Sequence, residues 1–158
     1  MNIFVLDDDP QRAARAHCDK HVVKMILETA QIMSTVYFRY GYDTQYKPTH
    51  MKHPCTLWAG DCTGNYAWLV KLGCALCREY TYRYGKTHKS QRIIEKLSAA
   101  PIGMPHKRRQ PFAQCMPDEY KRPDAVDAYR AYYLGDKVRM LSYRARPAPH
   151  FVSASIGL

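Results

Sequence analysis

A chain of 158 residues with 46% hydrophobic content can bury one respectable core, which predicts a single compact domain spanning residues 1–158 and leaves no room for a second of similar size. Its formal charge of +10 favours polyanionic partners, meaning DNA, RNA, a nucleotide or an acidic surface, without saying which. No run approaches the roughly 18 apolar residues a membrane span needs, so no membrane partner is expected.

The opening MNIFVLDDDP has a short apolar run followed by acids, not the basic, apolar and small-residue regions of a secretory signal. The protein is therefore expected to be soluble and cytoplasmic, with its six cysteines as reduced thiols. Residues 3–6, IFVL, read as a buried strand or an extended leader. Asp9 and Pro10 form a helix start, a capping carboxylate followed by proline at the first helical position. The first helix is expected from about Pro10 to Tyr40, with Gly41 its stop. A polar loop over 42–53 follows. Pro54 opens a second helical stretch, best supported from Asn65 to Tyr84 and ended by Gly85. Thr87 can cap a third, shorter helix through Ile93, Ile94 and Leu97.

The prolines between Pro101 and Pro123 rule out a long helix there and suggest an ordered surface loop carrying His106, Lys107, Arg108 and Arg109. Asp124 begins a last helix, expected to end near Arg144, and the tail from Arg146 is expected to dock loosely. The fold class that emerges is mainly α, a compact helical bundle with long loops.

Two constellations can carry chemistry. His17, His21, Lys24, Glu28 and Gln31 form one polar edge of an otherwise apolar first helix. Such an edge either lines a cleft or is the solvated side of the helix, with Lys24 and Glu28 an ordinary surface pair. On the cleft reading His17, His21 and Glu28 are the catalytic candidates, with Lys24 binding phosphate. Two histidines four apart can also share a metal, and His50, His53 and Cys55 could complete the ligands. Lys24 opposes a cation there, so no metal or other cofactor is assigned, and His50 and His53 are placed among the substrate-binding residues. The second constellation is EYTYRYGKTHKS, which puts Arg83, Lys86, His88, Lys89 and Ser90 at a helix end, a glycine turn and a new helix start. Amides at a helix N-terminus attract phosphate and flanking cations reinforce them. Cys74 and Cys77, three apart in an apolar helix, fill core space rather than form a redox pair.

The succession HCDKHVVKMILETAQ, THMKHPCTLW, EYTYRYGKTHKS, MPDEYK and AYRAYYLGDK resembles a family of small uncharacterised phage proteins over nearly the whole chain. The order of signals is also similar to that of the small pyrimidine-dimer DNA glycosylases of the endonuclease V type: a histidine-bearing first helix, His53-Pro54, then a long helix ending at Gly85 with His88 nearby. That resemblance implies a mainly helical, basic enzyme that cuts the glycosidic bond of a damaged base and then nicks the strand. It further implies an N-terminal amine as nucleophile and a first-helix glutamate that stabilises the intermediate. The chain departs in two places. Asn2 is a large second residue that keeps the initiator methionine, and Glu28 lies about a turn beyond the expected acid. The expectation is that fold and anionic substrate carry over while the imine chemistry does not.

Two functions follow. One is a DNA-acting glycosylase or lyase with His/Glu acid–base chemistry in a phosphate-binding cleft. The other is a phage counter-defence protein that sequesters or cleaves a cyclic dinucleotide or related small nucleotide in a closed pocket, a reading that allows a homo-oligomer. A DNA-binding protein without chemistry is the third possibility.

Overall fold

The computed structural model describes residues 1–156; its regular structure is all helical, with no strand among the described residues. Seven α-helices follow in order: α1 (Pro10–Ala16), α2 (Asp19–Arg39), α3 (Pro54–Asp61), α4 (Thr63–Tyr84), α5 (Gln91–Lys96), α6 (Ala125–Asp136) and α7 (His150–Ile156). Helix α4 is the hub, packing against α1, α2, α3 and α5. Its Leu69, Leu72 and Leu76 meet a core that includes Ile26, Ile32 and Met33 of α2, all 2% exposed or less. Each such side chain contributes about 1.5–3 kcal/mol on burial. The α2–α4 crossing is close at Gly73, where a Cβ would stand 2.9 Å from the Thr29 methyl. A larger residue there would push the two helices apart.

The expected first helix is two. The chain leaves helical geometry at His17 (ψ 134°) and Cys18 (ψ 163°), then restarts at Asp19. The IFVL leader packs beside this break, Phe4 edge-on to His17 and stacked on His21, with Ile3, Phe4, Val5 and Leu6 at most 4% exposed. The second stretch is likewise split, at Cys62, which ends α3 and caps α4. Gly85 closes α4 in the left-handed region (φ 69°), as its lack of a Cβ permits. The third helix starts later than Thr87, with Ser90 as its N-cap. The last predicted helix stops at Asp136, and Val138–Met140 form a 3₁₀ turn. The tail is also firmer than expected. Val152 of α7 is 1% exposed, and Arg146 donates to Glu79 at 2.6 and 3.1 Å.

The proline-rich segment is an ordered surface loop, as expected. It crosses the start of α4, where Thr63 N–H donates to the Pro105 carbonyl and Gly64 N–H to the Lys107 carbonyl. Asn65 fixes it further, donating to the Trp58 carbonyl and accepting from Gln110 N–H at 2.7 Å. This loop delivers Ala113 and Cys115 to the N-terminal residues.

Candidate active site

The first two residues meet the middle of α2. The Met1 ammonium is 3.3 Å from Glu28 Oε1, and Asn2 N–H donates to the same oxygen at 3.1 Å. The other carboxylate oxygen faces the Lys24 ammonium at 3.8 Å. The Met1 side chain is 2% exposed while the residue as a whole is only half-buried, so its amine end is the part that meets solvent. With Met1 in place, an α-amine still stands beside the Glu28 carboxylate. The methionine side chain anchors the terminus and its own amine takes the place beside the carboxylate.

Asn2 is held on every side. Its Nδ2 donates to the Cys115 carbonyl at 2.8 Å. Its Oδ1 accepts from Ile3 N–H at 2.8 Å and stands 3.3 Å from both the Tyr129 hydroxyl oxygen and the Cys55 sulfur. Tyr129 is fully buried on α6 and donates its hydroxyl hydrogen to the Ala113 carbonyl at 2.6 Å. The amine is thus positioned by groups from the leader, α3, the loop and α6 together. Residue order does not connect Met1, Asn2, Cys115 and Tyr129, because only the fold joins them.

His53 caps α3, its Nδ1 accepting from Cys55 N–H at 3.1 Å. Burial, the Met1 ammonium and His50 hold its pKa below the ordinary histidine value, and Glu28 opposes them. His50 is exposed, in the left-handed region (φ 49°), and its ring contacts the Thr49 hydroxyl.

The two early histidines are not on a cleft edge. His17 is 0% exposed; its Nδ1–H donates to the Ala13 carbonyl at 2.6 Å, which leaves Nε2 unprotonated and without a partner. His21 is 4% exposed, stacks on Phe4 with ring centroids 4.4 Å apart, and shares a 2.6 Å hydrogen bond with the buried Tyr133 hydroxyl. Desolvation lowers the pKa of His17 to about 4 and of His21 to about 3, so both rings are neutral near pH 7. The reading of these two as a solvent-facing acid–base pair is corrected: they fill space under the leader and α6.

The second constellation also divides. The Arg83 side chain is 0% exposed and is spent internally, donating to Glu79 at 2.9 Å, Asp19 at 3.0 Å and the Arg15 carbonyl at 3.0 Å. Ser90 is buried against the Tyr46 hydroxyl, and His88 Nε2 meets the Val23 carbonyl at 3.0 Å. As phosphate ligands Arg83 and Ser90 are therefore withdrawn. Lys86 and Lys89 remain exposed, and Lys89 borders a shallow depression with Tyr46, His88 and Arg92.

Residues 1–92 match the pyrimidine dimer DNA glycosylase family, and the chain belongs to that family. The match spans Met1, Glu28, His53 and Cys55 and stops short of Cys115 and Tyr129. No curated protein and no solved structure matches the chain. Family membership implies DNA as the partner, and no described helix is long and apolar enough to cross a membrane.

Proposed function

We propose that the protein is a DNA glycosylase and strand-nicking lyase for pyrimidine dimers that uses the Met1 α-amine as its nucleophile and Glu28 as its acid–base group. The observation that carries this reading is the 3.3 Å approach of the amine to Glu28 Oε1. The Glu28 carboxylate takes a proton from the ammonium, and the freed nitrogen attacks C1′ of the damaged nucleotide as the glycosidic bond breaks. Ring opening gives an imine between the Met1 nitrogen and C1′. Loss of a C2′ proton then expels the 3′ phosphate and nicks the strand. The carboxylate also stabilises the positive charge that develops at C1′, in a site where only a tenth of its side chain is exposed. Duplex DNA hides C1′ and the damaged bases, so the nucleotide must be extruded to reach the amine.

Lys24, 69% exposed and one helical turn from Glu28, is placed to hold a phosphate beside the reacting sugar. His53 lies within electrostatic reach of the Met1 ammonium, Glu28 and His50, and the exposed Lys86, Lys89 and 106–109 loop are assigned the backbone contacts. His17 and His21 have no part in the chemistry.

Borohydride trapping tests the reading. Wild-type protein with dimer-containing duplex should give a covalent protein–DNA adduct, and peptide mapping should place it on residue 1. Acetylation of the N-terminus, or extension of it by a few residues, should abolish the adduct. An N-terminally blocked protein that still nicks dimer-containing DNA would overturn the proposal.

A further inference from the structure

A cluster of soft ligands sits behind the amine and is not used in the proposed chemistry. His53, Cys55 and Cys115 each bring a ligand atom within 4.8 Å of the others. The two sulfurs are 2.9 Å apart, closer than uncharged thiols pack and well beyond the ~2.05 Å of a disulfide bond. Asn2 Oδ1 lies 3.3 Å from Cys55 Sγ on the same side. We infer that His53, Cys55 and Cys115 form a zinc site that ties the loop to α3 and, through Asn2, fixes the N-terminus.

The donor set selects the metal class. Two thiolates and an imidazole favour zinc over magnesium, calcium or manganese, which take oxygen ligands. Charge points the same way. The Met1 ammonium acts on His53 and repels a bare cation, but Zn²⁺ with two thiolates and a neutral imidazole carries no net charge. Binding is a plain exchange of ions: each thiol loses its proton to water, and no electron moves.

Zinc bonds of ~2.3 Å to each sulfur would spread the pair to about 3.8 Å, a movement of under an ångström. The ring of His53 would exchange its cap on the Cys55 amide for the metal. Asn2 Oδ1, 3.3 Å from Cys55 Sγ, or a water would complete a four-coordinate set. The ligands come from the His-Pro-Cys start of α3 and from a loop beyond the family match, so this clasp joins the matched segment to the rest of the chain.

Full-length protein expressed with added zinc sulfate, then dialysed against metal-free buffer, tests the inference by elemental analysis. About one zinc per chain is expected, and Co²⁺ substitution should give a near-ultraviolet thiolate-to-cobalt band. C115S and H53A should each lose the metal and the band, while C74S should keep both. Far-UV circular dichroism shows whether each variant is folded, and the wild-type stoichiometry decides the matter even where one is not. A zinc-free wild type would overturn the inference. So would metal retained by folded C115S, or a 2 Da mass loss mapped to a Cys55–Cys115 disulfide. Borohydride trapping is scored separately, so failure of the zinc site leaves the amine proposal standing.

Discussion

The start and the middle of α2 present polar residues in opposite roles. At its start His21, with His17 just before it, faces inward among Phe4, Tyr133 and Cys18; two turns on, Glu28 faces the Met1 amine and an exposed Lys24. Both regions belong to one polar edge in sequence. What separates them is the leader, which covers the first turn of the helix and ends beside the third. A polar residue on a mostly apolar helix therefore declares that it needs a partner, and the covering segment decides whether that partner is structural or reactive.

The sharpest way to test this contrast is Glu28→Gln. It should lower single-turnover cleavage of dimer-containing DNA by roughly 10²–10⁴-fold, the range for removing a general acid–base group. Because the replacement is isosteric, the thermal midpoint should move little. A large loss of stability with cleavage retained would place Glu28 in the structural half and collapse the comparison.

The structural half predicts the reverse pattern. Arg83→Met removes the fully buried guanidinium that Asp19 and Glu79 share, leaving Asp19 without its arginine and Glu79 with Arg146 alone. Breaking a buried ion pair from one side costs about 3–5 kcal/mol. Chemical denaturation should show that loss, while the folded fraction still gives the borohydride adduct on residue 1.

Acid should act through the same half. His17 and His21 have folded-state pKa values lowered to about 4 and about 3 from an ordinary 6.5, so the unfolded chain takes up protons before the folded one does. Their neutral burial is compatible with full stability above about pH 6.5. Below that, stability should fall steadily down to about pH 3–4, by several kcal/mol in all. Thermal midpoints measured from pH 7.5 to pH 4 check the slope, and His21→Gln should flatten it. A wild-type midpoint that does not fall across this window would mean that the rings are not buried neutral.

Much of this architecture is readable from residue order. Apolar recurrence gives the run of helices, Gly85 its stop, and the clustered prolines an ordered loop. The break after Ala16 is not readable, because QRAARAHCDKHVV keeps helical periodicity straight through it and only the buried leader requires the turn. Glu28 and Lys24 follow from the polar edge. The burial of His17, His21 and Arg83 does not, since the same residue types at the same spacing also describe a solvated face. Their partners Phe4, Tyr133, Glu79 and Asp19 are fixed by packing across the molecule. Met1 and Asn2 carry one usable signal, a buried IFVL leader directly behind them, which predicts a pinned terminus.

The smallest expected effect lies in the exposed cations. Lys86 and Lys89 keep their charge at the surface, whereas Arg83, a few residues before them, is consumed inside the fold. If both lysines touch DNA phosphates, Lys86→Gln with Lys89→Gln should weaken duplex binding alike for damaged and undamaged sequences. The slope of log K against log salt should become shallower by about 1 for each phosphate no longer neutralised. Cleavage at saturating DNA should be unchanged, because neither residue approaches the Met1 amine. A slope that stays at the wild-type value would move the backbone contacts to the 106–109 loop and leave the basic turn after α4 without a part in recognition.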